Sequence, residues 1–156
     1  MRTALLVFVG LALVAAPLSG QGRPLQVRGV RSLSFGLLLP GIPTSTARTD
    51  PALSGELEIR GERNLEVVVT FGLPSAMTGP GGAVLPLAFA ANDAGYSGQQ
   101  SIGSQTAFDP RLPFRAVLSR NGRGSIYLGG TALPGNGQRA GTYTAQITLT
   151  VAYTSP

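Results

Sequence analysis

The sequence predicts an all-β fold, an antiparallel β-sandwich of about seven or eight short strands. Three observations predict it. No segment spaces its apolar residues as an amphipathic helix requires. Short stretches of alternating apolar and polar residues recur along the chain, as half-buried strands demand. The 22 glycines and 12 prolines gather between those stretches, where turns belong.

The first twenty residues stand apart. Met1 and Arg2 give a positive start, and Ala4 to Ala16 is an unbroken apolar run. Pro17, Leu18, Ser19 and Gly20 follow as a small-residue exit. That three-part pattern is a secretory signal peptide. The run of thirteen apolar residues falls short of the roughly 20 that span a bilayer. Cleavage after Gly20 leaves 21–156 as one β-sandwich domain. The product is expected in the periplasm, on the cell surface or outside the cell, with no stable membrane anchor.

The remaining elements follow in order. Leu33, Phe35 and Leu37 alternate with Ser34 and Gly36, a strand ended by Pro40, Gly41 and Pro43. The polar stretch 44–51 reads as a loop. Leu57 and Ile59 alternate with Glu56, Glu58 and Arg60 until Gly61. Leu65, Val67, Val69 and Phe71 make a stronger strand, rich in the β-branched and aromatic residues that suit a pleated surface. Thr78 to Gly82 is a turn cluster, and residues 84–89 form another apolar strand. The polar, glycine-rich stretch 95–110 reads as an irregular loop. Phe114, Ala116 and Leu118 alternate up to Asn121-Gly122, a hairpin signal, with Ser125 to Leu128 as the return strand. Pro134 to Gly141 is a loop. In the last strand Tyr143, Ala145, Ile147, Leu149, Val151 and Tyr153 point one way, and threonines, Gln146 and Ala152 the other.

Composition narrows function. Hydrophobic residues reach 43% against 12% charged, which excludes the low-apolar, high-charge signature of disorder. Cysteine, histidine, tryptophan and lysine are absent, so there are no disulfides, no thiolate zinc sites and no lipid-anchoring cysteine. The net charge is +5 and every basic residue is arginine. The densest run, Arg111, Arg115, Arg120 and Arg123, lacks the aromatic platforms that single-stranded nucleic acid stacks on, so no nucleic-acid partner is expected.

The residues that carry chemistry elsewhere have plainer uses here. Serine nucleophiles need a base, and neither histidine nor lysine is present. Glu56 with Glu58, or Glu62 with Glu66, offers paired carboxylates of the glycosidase kind; on a strand's polar face such charges mark the solvated side of a sheet. Asp50, Asp93 and Asp109 are isolated, as turn-forming aspartates are, and lack the spacing of a calcium loop. Tyr96, Tyr127 and Tyr143 are candidates for a sugar-binding face or for packing. No catalytic, cofactor or metal residue is predicted, and no enzyme activity is expected.

Three segments carry a family resemblance: Leu33 to Gly36 (LSFG), Ser54 to Gly61 (SGELEIRG), and Ile126 to Tyr153 with its Gly129-Gly130, Gly141 and Tyr143. The chain resembles a family of secreted bacterial domains of unknown function, similar to spore coat protein U and to chaperone–usher pilin subunits. The resemblance implies an immunoglobulin-like, pilin-like sandwich, a periplasmic chaperone and neighbouring subunits as partners. It also implies a C-terminal assembly strand running from a glycine to an aromatic residue twelve positions later. Gly141 and Tyr153 have that spacing, which makes Gly141, Tyr143, Ala145, Ile147, Leu149, Val151 and Tyr153 the candidate assembly strand. The alternative for this segment is an ordinary central strand. A donor segment would come from Gln21 to Arg31, with Leu25, Val27 and Gly29 in phase; the alternative is that these residues begin the first strand of a complete fold. The expected function is a secreted structural or assembly subunit of pilus, coat or adhesin type. The alternative is a stand-alone binding module that uses its 92–113 loop for a carbohydrate or protein ligand.

Overall fold

The computed structural model describes residues 22–154; the signal-peptide segment lies outside the described residues. Apart from one 3-10 turn at Pro80–Gly82, the regular structure is strand. In chain order the strands are β1 (Gln26–Arg31), β2 (Thr44–Thr46), β3 (Gly55–Arg60), β4 (Glu66–Gly72), β5 (Ala76–Thr78) and β6 (Val84–Ala88). They continue as β7 (Ala94–Ser97), β8 (Thr106–Phe108), β9 (Phe114–Val117), β10 (Arg123–Leu128), β11 (Gly130–Ala132) and β12 (Thr148–Tyr153). All pairings are antiparallel, in three sheets ordered β1-β3-β10-β7-β8, β2-β11-β6-β5 and β12-β4-β9.

The five-stranded and three-stranded sheets face each other across the main core. Ile59 of β3, Ala94 of β7, Phe108 of β8 and Ile126 and Leu128 of β10 meet Val67 and Val69 of β4, Ala116 of β9 and Leu118. Phe108 and Phe114 stack at 4.1 Å between ring centroids, joining the far strands of the two sheets. A second cluster of Phe35, Leu85 and Ala132 lies under the four-stranded sheet. The chain passes from β10 to β11 at Gly129, whose N–H donates to Asp93 O at 2.7 Å. A side chain at Gly129 would collide with the backbone at Thr46 and Arg48.

The all-β prediction holds, but twelve strands replace the expected seven or eight. Of the strands added, β1 has six residues, whereas β2, β5, β7, β8 and β11 have three or four, and several of these fall in stretches read as loops. Polar 44–51 contains β2, and 95–110 contains β7's end and β8. Alternation is hidden in β7 because both its faces are covered: Ala94, Gly95 and Ser97 are all buried. The reverse error occurs at 33–37, which is irregular. Gly36 sits at φ +65°, so Phe35 turns into the second core while Leu37 is 90% exposed. The first strand lies earlier, at β1.

Asn121-Gly122 makes a turn, but not a hairpin. Gly122 takes φ +70° and its N–H closes on Ser119 O at 2.8 Å. Yet β9 pairs with β4 while β10 pairs with β3 and β7. The turn therefore carries the chain across the sandwich, and Leu118 and Ile126 enter the core from opposite sheets. Gly61 N–H donates to Gly122 O at 2.8 Å, and a methyl on Gly122 would strike Gly61 O. Gly122→Ala is expected to lower unfolding free energy by about 2 kcal/mol or more, and Ile126→Ala by about 2–5 kcal/mol. Urea titrations check both; unchanged midpoints would contradict the crossing described.

Candidate functional site

The two outer strands β1 and β12 lie along the same flank of the sandwich, one on each sheet. β12 has β4 on one side and, among the described residues, no strand on the other. Its register with β4 runs from Thr148 opposite Gly72 to Tyr153 opposite Val67. Thr154 N–H donates to Glu66 O at 3.2 Å, continuing that ladder. Antiparallel pairs alternate, so the even-numbered residues of β12 bond to β4. Leu149, Val151 and Tyr153 then direct their backbone N–H and C=O groups to the open edge, while their side chains point inward.

The inward side chains are not fully covered. Val69 and Val67 of β4 are 0% exposed, yet their cross-strand partners Val151 and Tyr153 are only half-buried. The same holds across the flank. Val27 of β1 lies opposite Ile59 and so shares its inward face. Ile59 is 0% exposed and Val27 is 40% exposed. Burial thus falls away toward both edges, as it does where a sandwich lacks a strand between them.

This open flank continues as a groove. A cleft of about 320 Å3 lies between Val30, Leu33 and Leu57 on one side and Ala145 and Ile147 on the other. Through Leu33 it meets a second cleft of about 480 Å3, lined by Phe35, Leu38, Met77, Leu85, Gly141 and Tyr143 among others. At the other end the flank is tied shut. The Tyr153 hydroxyl donates to Arg23 O at 2.6 Å and accepts from the Glu62 N–H at 2.6 Å, and the Arg23 N–H donates to Glu62 Oε2 at 3.0 Å.

The candidate assembly strand therefore splits in two. Only Leu149, Val151 and Tyr153 stand in regular strand. Residues 141–147 lie outside β12 and touch the four-stranded sheet through an isolated bridge, Thr144 with Thr78, at 2.9 and 3.0 Å. Gly141 (φ +142°) packs on Pro80, and the Tyr143 hydroxyl donates to Arg139 O at 2.6 Å. Ala145 is exposed and Ile147 half-buried. Among the described residues β12 is an edge of its sheet, not the central strand of the alternative reading. Of the donor candidates, Leu25 packs on the core, and Val27 and Gly29 are in β1 beside β3. Every residue of β1 is exposed except Arg31, so β1 is held by its ladder and by ion pairs: Arg28 with Glu58 at 3.5 Å and Arg31 with Glu56 at 3.4 Å.

Glu56 and Glu58 lie on the outer face of β3, as read, but Glu56 is half-buried and Glu58 buried. The Glu58 side chain is 6% exposed, with Arg60 at 3.0 Å and Gln100 Nε2 at 2.8 Å. Arg60, then Gln100 and Arg28, hold its carboxyl below the ordinary 4.5. The three aspartates serve turns. Asp50 accepts the Ala52 and Leu53 N–H groups at 2.8 Å, Asp93 accepts Ala90 N–H at 2.7 Å, and Asp109 pairs with Arg111 at 2.7 Å. The tyrosines form no common face: Tyr127 is buried, and the Tyr96 hydroxyl donates to Val117 O at 2.6 Å. Residues 92–113 hold β7 and β8 and are not a free loop.

Two expectations follow. A depressed carboxyl stabilises the fold above its unfolded pKa, and that stabilisation disappears as pH falls through the folded value. Wild type should therefore lose stability steeply as pH drops below 4.5, and Glu58→Gln should lose less over the same range, measured by urea midpoints at stepped pH. Tyr153→Phe removes both hydroxyl bonds and should cost about 1–3 kcal/mol, with faster amide exchange confined first to 23–31 and 62–66. Uniform exchange would contradict the tie.

No family model matches this sequence, and no curated protein matches it either.

Proposed function

We propose that this chain is a secreted, non-enzymatic assembly subunit of pilus, coat or adhesin type, whose open flank receives an extended strand from a chaperone or from a neighbouring copy. The observation that carries the reading is the edge of β12. Its outward backbone groups at Leu149, Val151 and Tyr153 lie beside half-buried apolar side chains and a groove. An incoming strand would gain affinity from the backbone groups and specificity from side chains seated in the groove.

Strand order supports an immunoglobulin-like relationship. In such a sandwich A, B, E and D form one sheet and C, F and G the other. β1, β3, β10 and β7 occur in the A-B-E-D order, and β4 beside β12 matches C beside F. The position of G, next to β12, has no counterpart among the described residues. β9 departs from the scheme by pairing on the other side of β4 after β7 and β8. The N-terminal segment suits the role of donor. Leu25, Val27 and Gly29 alternate in phase, and β1 buries so little that its exchange sacrifices few apolar contacts.

Subunits joined in this way should run as a heat-labile ladder on an unboiled denaturing gel. Val151→Asp, which puts a charge on the half-buried inward face of the β12 edge, and deletion of residues 21–31 should each collapse the ladder to monomer. A wild-type chain that is monomeric in the periplasm and after concentration, with no chaperone-sized protein copurifying, would overturn the reading.

A further inference from the structure

A third cleft, separate from the two along the open flank, gathers arginines that are far apart in sequence. It has a volume of about 280 Å3 and is lined by Arg23, Gln26, Arg60, Asn121 and Arg123, with Pro24 and Gly122. The register explains the gathering. Gln26 lies opposite Arg60 across β1 and β3, and Arg123 lies opposite Arg60 across β3 and β10. The three side chains stand in one row on the outer face of the sheet.

Two like charges directly opposed on neighbouring strands destabilise a sheet, and the Glu58 carboxylate offsets this pair from the Arg60 side alone. The nearby carboxylates are already engaged. Glu58 contacts Arg60 at 3.0 Å and Arg28 at 3.5 Å, and Glu62 accepts the Arg23 and Arg63 backbone N–H groups. Arg23, Arg28, Arg60, Arg63 and Arg123 thus face only Glu58 and Glu62, which leaves a positive excess. Arg123 has no ion-pair partner among the described residues.

We infer that this cleft is a binding site for a doubly charged tetrahedral oxyanion, a phosphate or sulfate group. Guanidinium forks match such oxygens in geometry, and charge-assisted bonds to them are short and strong. A monocarboxylate would offset less of that excess than a doubly charged oxyanion does. The Asn121 amide adds neutral donors at the rim. The cleft exceeds the size of one ion, which leaves room for a sugar that carries the ester. An anion seated there also bridges β1 to the β10 turn and removes the repulsion between Arg60 and Arg123. The cleft takes Arg23 and Gln26 from the proposed donor segment, so it is complete while β1 pairs with its own β3, and a monomeric chain tests it apart from strand exchange.

Phosphate and sulfate raise protein stability non-specifically by exclusion from the surface, so a melting shift is the wrong readout. The test is a titration of the isotopically labelled mature chain with inorganic phosphate at fixed ionic strength, followed residue by residue by NMR. Saturable shifts at Gln26, Arg60, Asn121 and Arg123 are expected, with a dissociation constant of about 1 mM or tighter. Arg123→Gln should weaken binding about tenfold, with Arg123→Lys between it and wild type. Gln26→Glu, at an exposed position on a different strand, should abolish binding, and the spectra themselves verify folding. Tighter binding of glucose 6-phosphate or a sulfated monosaccharide than of inorganic phosphate would assign the natural ligand to a sugar ester; equal affinity would assign it to the free ion. Absence of saturable shifts, or equal binding by wild type, Arg123→Gln and Gln26→Glu, would overturn the site.

Discussion

The ladder between β3 and β10 joins six residue pairs, from Arg123 opposite Arg60 to Leu128 opposite Gly55. Both strands sit inside the five-stranded sheet, with neighbours on either side. On the inward face this ladder sets Ile59, Ile126 and Leu128 at the centre of the core. On the outward face it sets Glu58 among arginines and Arg60 against Arg123. Among the described residues β1 pairs with β3 alone, so the position of one edge of the flank is fixed by β3. The register of one strand pair thereby determines the core, the groove's near wall and the arginine cleft, and a slip of one residue would turn all of them over.

How much of this was legible depended on how each strand is covered. β4, β6 and β12 show their alternation openly, because one face is apolar and the other meets water. β7 does not, because both faces are covered and its residues are small. Leu33 to Leu37 alternates without being a strand, since a glycine with positive φ lets successive side chains go to unrelated places. Local signals also carry no information about partners. Asn121-Gly122 correctly marks a turn, but whether its flanking strands pair with each other is decided by the core, which needs Leu118 and Ile126 from opposite sides.

The candidate site was legible in part for the same reasons. The phase of Leu149, Val151 and Tyr153 could be read directly; that β12 is an edge could not, because nothing in an alternating strand tells how many neighbours it has. The burial of Glu58 was hidden because its cover comes from Arg28, Arg60 and Gln100, on two strands and a loop. The arginine cleft was hidden more completely. The dense run at 111–123 is not where charge converges: Arg111 and Arg115 are paired with Asp109 and Glu66, and the cleft gathers Arg23, Arg60 and Arg123.

The hydrogen bond from the Tyr153 hydroxyl to Arg23 O places the two ends of the folded region side by side. Proteins whose extremities meet tolerate being joined there and reopened at an exposed loop tip. The exposed residues Gly135 to Gly137 provide such a tip. A circularly permuted chain that starts after Gly137 would keep the same sheets while making β1 and β12 consecutive in sequence. A linker between them would then start at the tied end of the flank, so that its length and composition decide whether it folds back and fills the flank from within.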